Sequence, residues 1–167
     1  MNSIDLCEYT TPLGAVTGAS RDGTVVAFTF SDRWDAVEPR MQRRFPAAER
    51  RAGDPTPIQR RLDAYFAGDL AALDDIAVDP GGTAFQSAVW RSLRAVRSGR
   101  TTTYSALARE IGSPSAVRAV GAANGANPIW LIIPCHRAIG ANGHLTGYAG
   151  GLERKRWLLR HEGALLA

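Results

Sequence analysis

Cys135 lies in the run Pro134-Cys135-His136-Arg137, with an imidazole next to it in sequence and a cation one residue further on. An imidazole and nearby positive charge lower a thiol pKa and raise the fraction of thiolate, the form that attacks carbon. The alternative is an inert packing residue, since a lone cysteine is among the most buried side chains. Two features favour chemistry. A proline followed by a polar, basic stretch is a poor continuation of the apolar run 129–133, so the segment should turn out into a site. Glu162 falls at i+4 from Leu158 and i+3 from Leu159, on the face its helix should bury. A buried carboxylate needs a hydrogen-bonding or charged partner, and His136 is a candidate. Cys, His and Glu would then form a relay in which the carboxylate orients the imidazole.

Zinc is the competing use of the same residue types. Cys7, Cys135, His136, His144 and His161 are the whole supply, and they contain no C-x2-4-C or H-x3-5-H pair. Adjacent Cys135 and His136 are poorly placed to ligate one tetrahedral ion, so no metal is expected. The two cysteines lie near opposite ends of the chain, which makes a structural disulfide unexpected.

The elements that must hold these residues change character along the chain. Residues 4–9, 15–19 and 24–30 read as strands of an antiparallel meander, with Pro12, Gly14 and Asp22-Gly23 as turn signals. Eight arginines interleaved with acids over 33–61 suggest a solvated helix and then a loop. A short helix over 58–66 and a strand over 73–78 should close a first lobe, residues 1–80, of supporting role, and Pro80-Gly81-Gly82 reads as a linker. Beyond it the period becomes helical, with Phe85, Val89, Leu93 and Val96 on one stripe. Helices are expected over 104–111 and again up to Asn124, the second with Ser113 as N-cap and Pro114 at its first position. Two short helices joined through Gly112 make a candidate helix-turn-helix. A buried strand over 129–133 leads to Cys135, and a final helix over 152–162 stops at Gly163. The expected class is α+β: an N-terminal sheet lobe, then a mainly helical domain over 81–167.

Of the 167 residues 45% are hydrophobic and 22% charged, ordinary for a globular chain with a real core. No run approaches the ~18 apolar residues of a membrane span, and the polar start lacks the pattern of a signal peptide, so a soluble, cytoplasmic protein is expected. Charge is unevenly shared: residues 1–84 carry net −4 and residues 85–167 net +8. A basic half beside an acidic one suits a protein of which one part meets a polyanion. Ala116, Ala119, Val120 and Ala123 fall at i, i+3, i+4 and i+7, a stripe of small side chains that lets a backbone approach another helix or a ligand closely, and Arg118 stands off it. Asn124 and Asn127 flank the approach to the Cys135 segment and could tie it down through side-chain bonds to backbone.

Taken together, Arg118-Ala119-Val120-Gly121, Asn127-Pro128, Pro134-Cys135-His136-Arg137, Tyr148, Gly150-Gly151-Leu152, Trp157-Leu158-Leu159 and His161-Glu162-Gly163 resemble the O6-alkylguanine-DNA alkyltransferases. The likeness is specific over about 85–163 and looser before it. It implies direct repair of duplex DNA, in which a cysteine irreversibly takes the alkyl group from O6 of a flipped-out guanine, once per molecule and without cofactor or metal. By position, Cys135 resembles the acceptor, His136 and Glu162 the groups that activate it through a water, Asn127 the brace of its loop, and Tyr104 the proton donor to the leaving base. Arg118 resembles the arginine that fills the vacated place in the duplex. Ala116, Ala119, Ala123 and Arg137 are implied as further DNA contacts, and Tyr148, Ala149, Trp130 and Ala138 as the substrate pocket. Trp130 stands where the family usually has a smaller residue, which predicts a narrow alkyl pocket and methyl or ethyl transfer faster than benzyl. A monomer is expected, with cooperativity on DNA left open.

Two other classes compete. A silent relative would bind alkylguanine and recruit other factors, against which the retained Cys135 argues. A Cys/His hydrolase would turn over repeatedly and would need an oxyanion site, for which no donor cluster is evident.

Overall fold

The computed structural model describes residues 2–165. The described residues divide into two compact units, one formed by residues 2–80 with 128–130 and the other by 81–127 with 131–165.

The first unit is built on a four-stranded sheet. β1 (Ser3–Thr11), β2 (Gly14–Arg21) and β3 (Thr24–Phe30) form the meander expected from their alternation and turn residues, Tyr9 facing Val16 and Val16 facing Phe30. Helix α1 (Trp34–Arg44) comes next, and then β4 (Glu49–Ala52), which pairs in parallel with β1 in the order β3-β2-β1-β4. The sequence reading missed β4. Its residues Glu-Arg-Arg-Ala carry no apolar alternation because it is an edge strand, and edge strands are commonly charged to discourage further pairing. Val37 and Met41 of α1 bury against Ile4, Ala19, Val26 and Ala27. Helix α2 (Ile58–Phe66) buries Ile58, Leu62 and Tyr65, and Asp54 at its start accepts hydrogen bonds from Tyr9 Oη (2.8 Å) and from the Ile58 amide.

The strand expected over 73–78 is not formed. Residues 70–75 are turns that bury Leu73, and only Val78 makes a single bridge, to Val25. Apolar residues there fill a core without needing an extended ladder. Gly18 of β2 sits under two aromatic rings: a Cβ there would lie 2.8 Å from Tyr9 and 3.0 Å from Phe28. Gly18→Ala is therefore expected to lower stability by about 1–3 kcal/mol, the range for overpacking, and thermal unfolding would measure it.

The second unit begins with α3 (Ala84–Arg94), whose N-terminus closes a capping box: Thr83 Oγ1 accepts from the Gln86 amide and Gln86 Oε1 from the Thr83 amide. β5 (Thr102–Thr103) leads directly into α4 (Tyr104–Glu110), followed by α5 (Val117–Gly125). The turn between α4 and α5 is a Schellman motif: Gly112, at φ +77°, donates to Arg109 O and Ser113 to Ala108 O. Ser113 thus ends α4 and does not cap α5, which starts at Val117, three residues later than Ser113-Pro114 implied. Trp90 of α3 is buried and donates its indole N–H to Ala123 O (2.8 Å), tying α3 to α5. A 3-10 turn (Cys135–Arg137), β6 (Ala138–Ile139), parallel to β5, and α6 (Leu152–His161) complete the unit. No helix among the described residues is long and apolar enough to cross a membrane.

Candidate functional site

The apolar run before Cys135 is buried but is not a strand. Residues 130–132 form a turn, and Leu131, 2% exposed, sits at φ +66°, a strained conformation for a branched side chain. Two asparagines secure the chain beyond it. Asn127 Nδ2 donates to Ile133 O (2.8 Å) and Asn124 Nδ2 to Cys135 O (3.4 Å). Cys135 then opens the 3-10 turn, partly accessible and with a free thiol.

β6 sits beside β5, and Tyr104 opens α4 immediately after β5, so the short ladder draws the start of α4 toward the Cys135 turn. The Tyr104 hydroxyl donates to Thr146 O (3.2 Å). Burial, reinforced by the nearby Cys135, raises the pKa of this phenol. It remains a proton donor at neutral pH.

Glu162 lies just past α6, where Gly163 at φ +77° closes a second Schellman turn and fixes the residue before it at the buried helix end. Its Oε2 lies 2.9 Å from His136 Nε2, both side chains being fully buried. A carboxylate can only accept, so Nε2 carries the hydrogen. Burial holds His136 below the usual imidazole range against the opposing pull of Glu162, so the ring is neutral. Its other nitrogen, Nδ1, is buried and takes no hydrogen bond from any described residue. Glu162 is burdened by desolvation, yet its bonds from Arg137 and His136 hold it well below the ordinary carboxylate range.

Cys135 itself departs from the sequence reading. Burial pushes its thiol up, and this outweighs the lowering by the Asn127 side chain, Lys155 and the amides of Cys135 and His136. The group at rest is a thiol with a neutral base beside it. An adjacent histidine and nearby cations lower a thiol pKa, but desolvation of the anion dominates once the segment is buried.

Lys155 was missed altogether. It is fully buried on α6, its ammonium donating to Ala138 O (2.6 Å) and Thr146 O (3.1 Å), with its pKa lowered to about 8 by burial and supported by Cys135. It thereby holds the β6 carbonyl and the loop over 140–151, which carries Tyr148, and it brings positive charge to the thiol. In the sequence it sits in Glu-Arg-Lys-Arg, which reads as solvated surface. Only its i+3 and i+4 spacing to Leu158 and Leu159 hinted at burial.

Four expected contacts are redirected. Arg137, implied as a DNA contact, is 5% exposed and bonded to Glu162, Val96 O and Ser98 Oγ. Ala123 is 3% exposed and faces the core, whereas Arg118 and Ala119 are exposed on α5 and Ala116, just before it, is half-buried. Ala138 is fully buried and is used through its carbonyl. Trp130 belongs to the first unit: its ring lies 3.9 Å from that of Phe30 and stacks on Phe28, because the Ile129 segment pairs with β3. Tyr148 is half-buried and Ala149 exposed in the loop tied by Lys155.

Residues 84–164 match the family model for the 6-O-methylguanine DNA methyltransferase DNA-binding domain. The methylated-DNA–protein-cysteine methyltransferase of Salmonella typhimurium is 49% identical over 140 residues, 80% of this chain and 82% of that protein. The one from Mycolicibacterium paratuberculosis is 43% identical over 160 residues, 94% of this chain and 93% of the relative. The crystal structure of Mycobacterium tuberculosis O6-methylguanine methyltransferase superposes with a TM-score of 0.80 at 38% identity, covering 96% of this chain and 93% of that one. The M. tuberculosis OGT structure in complex with DNA gives 0.79 at 36% identity, covering 95% and 92%. With the likeness extending over both units and the Cys, His and Glu side chains gathered in one of them, the chain belongs to the methylated-DNA–protein-cysteine methyltransferase family.

Proposed function

We propose that the protein repairs O6-alkylguanine in duplex DNA by transferring the alkyl group to Cys135, once per molecule. The observation that carries this reading is the arrangement around His136: Nε2 engaged by Glu162, Nδ1 buried with no hydrogen-bond partner among the described residues, and a protonated thiol on the preceding residue. A neutral imidazole held in this tautomer is a base with its lone pair on Nδ1, and a water between Nδ1 and Sγ relays the thiol proton to it. The nascent thiolate, met by the Lys155 ammonium and the Asn127 amide, attacks the alkyl carbon. The carbon–O6 bond breaks, its electron pair passes into the purine, and Tyr104 supplies a proton so that guanine leaves neutral.

Such an attack requires the base outside the stack, at a cost of a few kcal/mol that a wedge in the vacated place offsets in part. Arg118, exposed on the second helix of the helix-turn-helix, supplies that wedge, and Ala119 lets the α5 backbone lie close to sugar and phosphate. With Arg137 and Lys155 buried, nine of the eleven cations over 85–167 remain outside the core to meet phosphates. If about six are engaged, affinity for duplex DNA falls about 10³-fold between 50 and 200 mM salt, with little dependence on sequence. A salt titration by fluorescence anisotropy checks this, and a flat response would remove the polyanion reading. The protein acts where cellular DNA is accessible, in the cytoplasm.

The direct test is the intact mass after incubation with an O6-methylguanine duplex. One methyl group per protein on the Cys135 peptide is expected. Binding without a mass change would make the protein a silent recogniser, and product in several-fold excess over protein would make it a hydrolase or other turnover enzyme.

A further inference from the structure

We propose that Arg137 is a positioning residue for alkyl transfer: its side-on clamp on Glu162 fixes the orientation and tautomer in which His136 meets Cys135. The proposal rests on the reading of Cys135 as alkyl acceptor and assigns to that reaction a residue whose position in the sequence had suggested a DNA contact.

The geometry is over-determined. Arg137 Nε donates to Glu162 Oε1 (2.9 Å) and Nη2 to Oε2 (2.8 Å), a bidentate grip that leaves the carboxylate one orientation. Oε2 is also the oxygen that receives His136 Nε2, so the guanidinium decides which edge of the carboxylate faces the ring. The guanidinium is itself held from the far side, Nη1 by Val96 O (2.7 Å) and Nη2 by Ser98 Oγ (2.7 Å), both just beyond α3. These four contacts leave little freedom to slide, and the side chain is only 5% exposed.

Charge gives the clamp its chemical consequence. The charged groups acting on His136 are Glu162, Arg137 and Lys155, with the Cys135 thiol next to it in the chain, and the segment after α3 meets the guanidinium through the Val96 carbonyl and the Ser98 hydroxyl. With Arg137 in place, Glu162 and the guanidinium form a neutral pair, and the imidazole next to them has no net anion to draw a proton onto it. Burial, Arg137 and Lys155 all disfavour the imidazolium. Without Arg137, a buried carboxylate would be left with His136 as its main partner and would pull a proton onto the ring, turning the base into an acid. Nδ1–H cannot accept the thiol proton, so the fraction of protein able to form the S–C bond at neutral pH would fall.

The test is single-turnover methyl transfer from an O6-methylguanine duplex, followed from pH 5 to 9, for the wild type, Arg137→Gln and Arg137→Lys, together with duplex affinity. Arg137→Gln is expected to slow transfer about 10- to 100-fold at pH 7, the range typical when a group orienting a functional side chain is lost, and to move the acid limb of the profile up by about one pH unit or more. Arg137→Lys restores the charge without the fork, so its acid limb should stay near the wild type while its rate is intermediate. Affinity for the duplex should be unchanged in both. If Arg137→Gln does not fold, the His136 ring titration of the wild type by NMR decides together with Arg137→Lys: a neutral ring protonated at Nε2 at pH 7 supports the clamp, and an imidazolium overturns it. Transfer by Arg137→Gln at the wild-type rate and with the same acid limb overturns it too, as does a loss of DNA affinity that accounts for the lost rate. A wild type that transfers nothing removes the functional reading and this proposal with it, whereas transfer equal in wild type and variant removes this proposal alone.

Discussion

Cys135→Ser should bind an O6-methylguanine duplex as the wild type does and transfer no measurable methyl group, a loss of at least about 10³-fold. A thiol is far more easily ionised than an alcohol, and sulfur is intrinsically the better nucleophile. The site accentuates the difference, because burial already raises the thiol pKa and His136 is a neutral imidazole of lowered basicity, too weak to deprotonate a serine. The nature of the product sets the stoichiometry. Attack on an alkyl carbon leaves a thioether, which has no carbonyl for water to attack, so the His136–Glu162 pair has no route back to free thiol. Rapid-quench kinetics with peptide mapping checks both points. Label on Cys7, which lies on β1 in the first unit, would show the acceptor to be misassigned.

Arg118→Ala should lower the rate on alkylguanine in duplex DNA about 100-fold while changing reaction with the free modified base less than about three-fold. The duplex substrate must be unstacked, at a few kcal/mol, and each 1.4 kcal/mol of that cost no longer offset by a wedge is a tenfold loss. The free base has no stack to leave. Arg118 is exposed on α5, whereas Tyr104, Cys135 and His136 are carried by other elements, so its removal leaves the chemistry intact. Equal losses on the two substrates would assign Arg118 to the active site rather than to the opening of the duplex.

Much of the site was legible in the sequence because its signals were local. Cys135 and His136 are neighbours, Glu162 announced its burial by its spacing to Leu158 and Leu159, and Asn124 and Asn127 lay where side-chain bonds to the Cys135 loop were geometrically open. Helix α3 and the three strands of the meander were visible in their periods, since each buries one regular stripe or face. Residues 130–133 were misread as a strand for the opposite reason: burial without periodicity looks the same whether the backbone is extended or, as here, turned at Leu131. The same ambiguity produced the strand wrongly expected over 73–78.

What the residue types and their order brought out by themselves, then, was the Cys135-His136 pair, the buried carboxylate of Glu162 and the helical pair bearing Arg118. Tertiary structure decided the rest, because burial and charge pairing are properties of the packed neighbourhood. Arg137 and Lys155 sit in basic stretches that read as surface, yet folding takes both out of solvent. One becomes the clamp on Glu162 and the other a tie between two carbonyls beside the thiol. Trp130, five residues from Cys135, packs on the Phe28 and Phe30 rings of the sheet. The thiol follows the same rule: a histidine next in sequence argues for a lowered pKa, but desolvation of the buried anion outweighs it and pushes the thiol up.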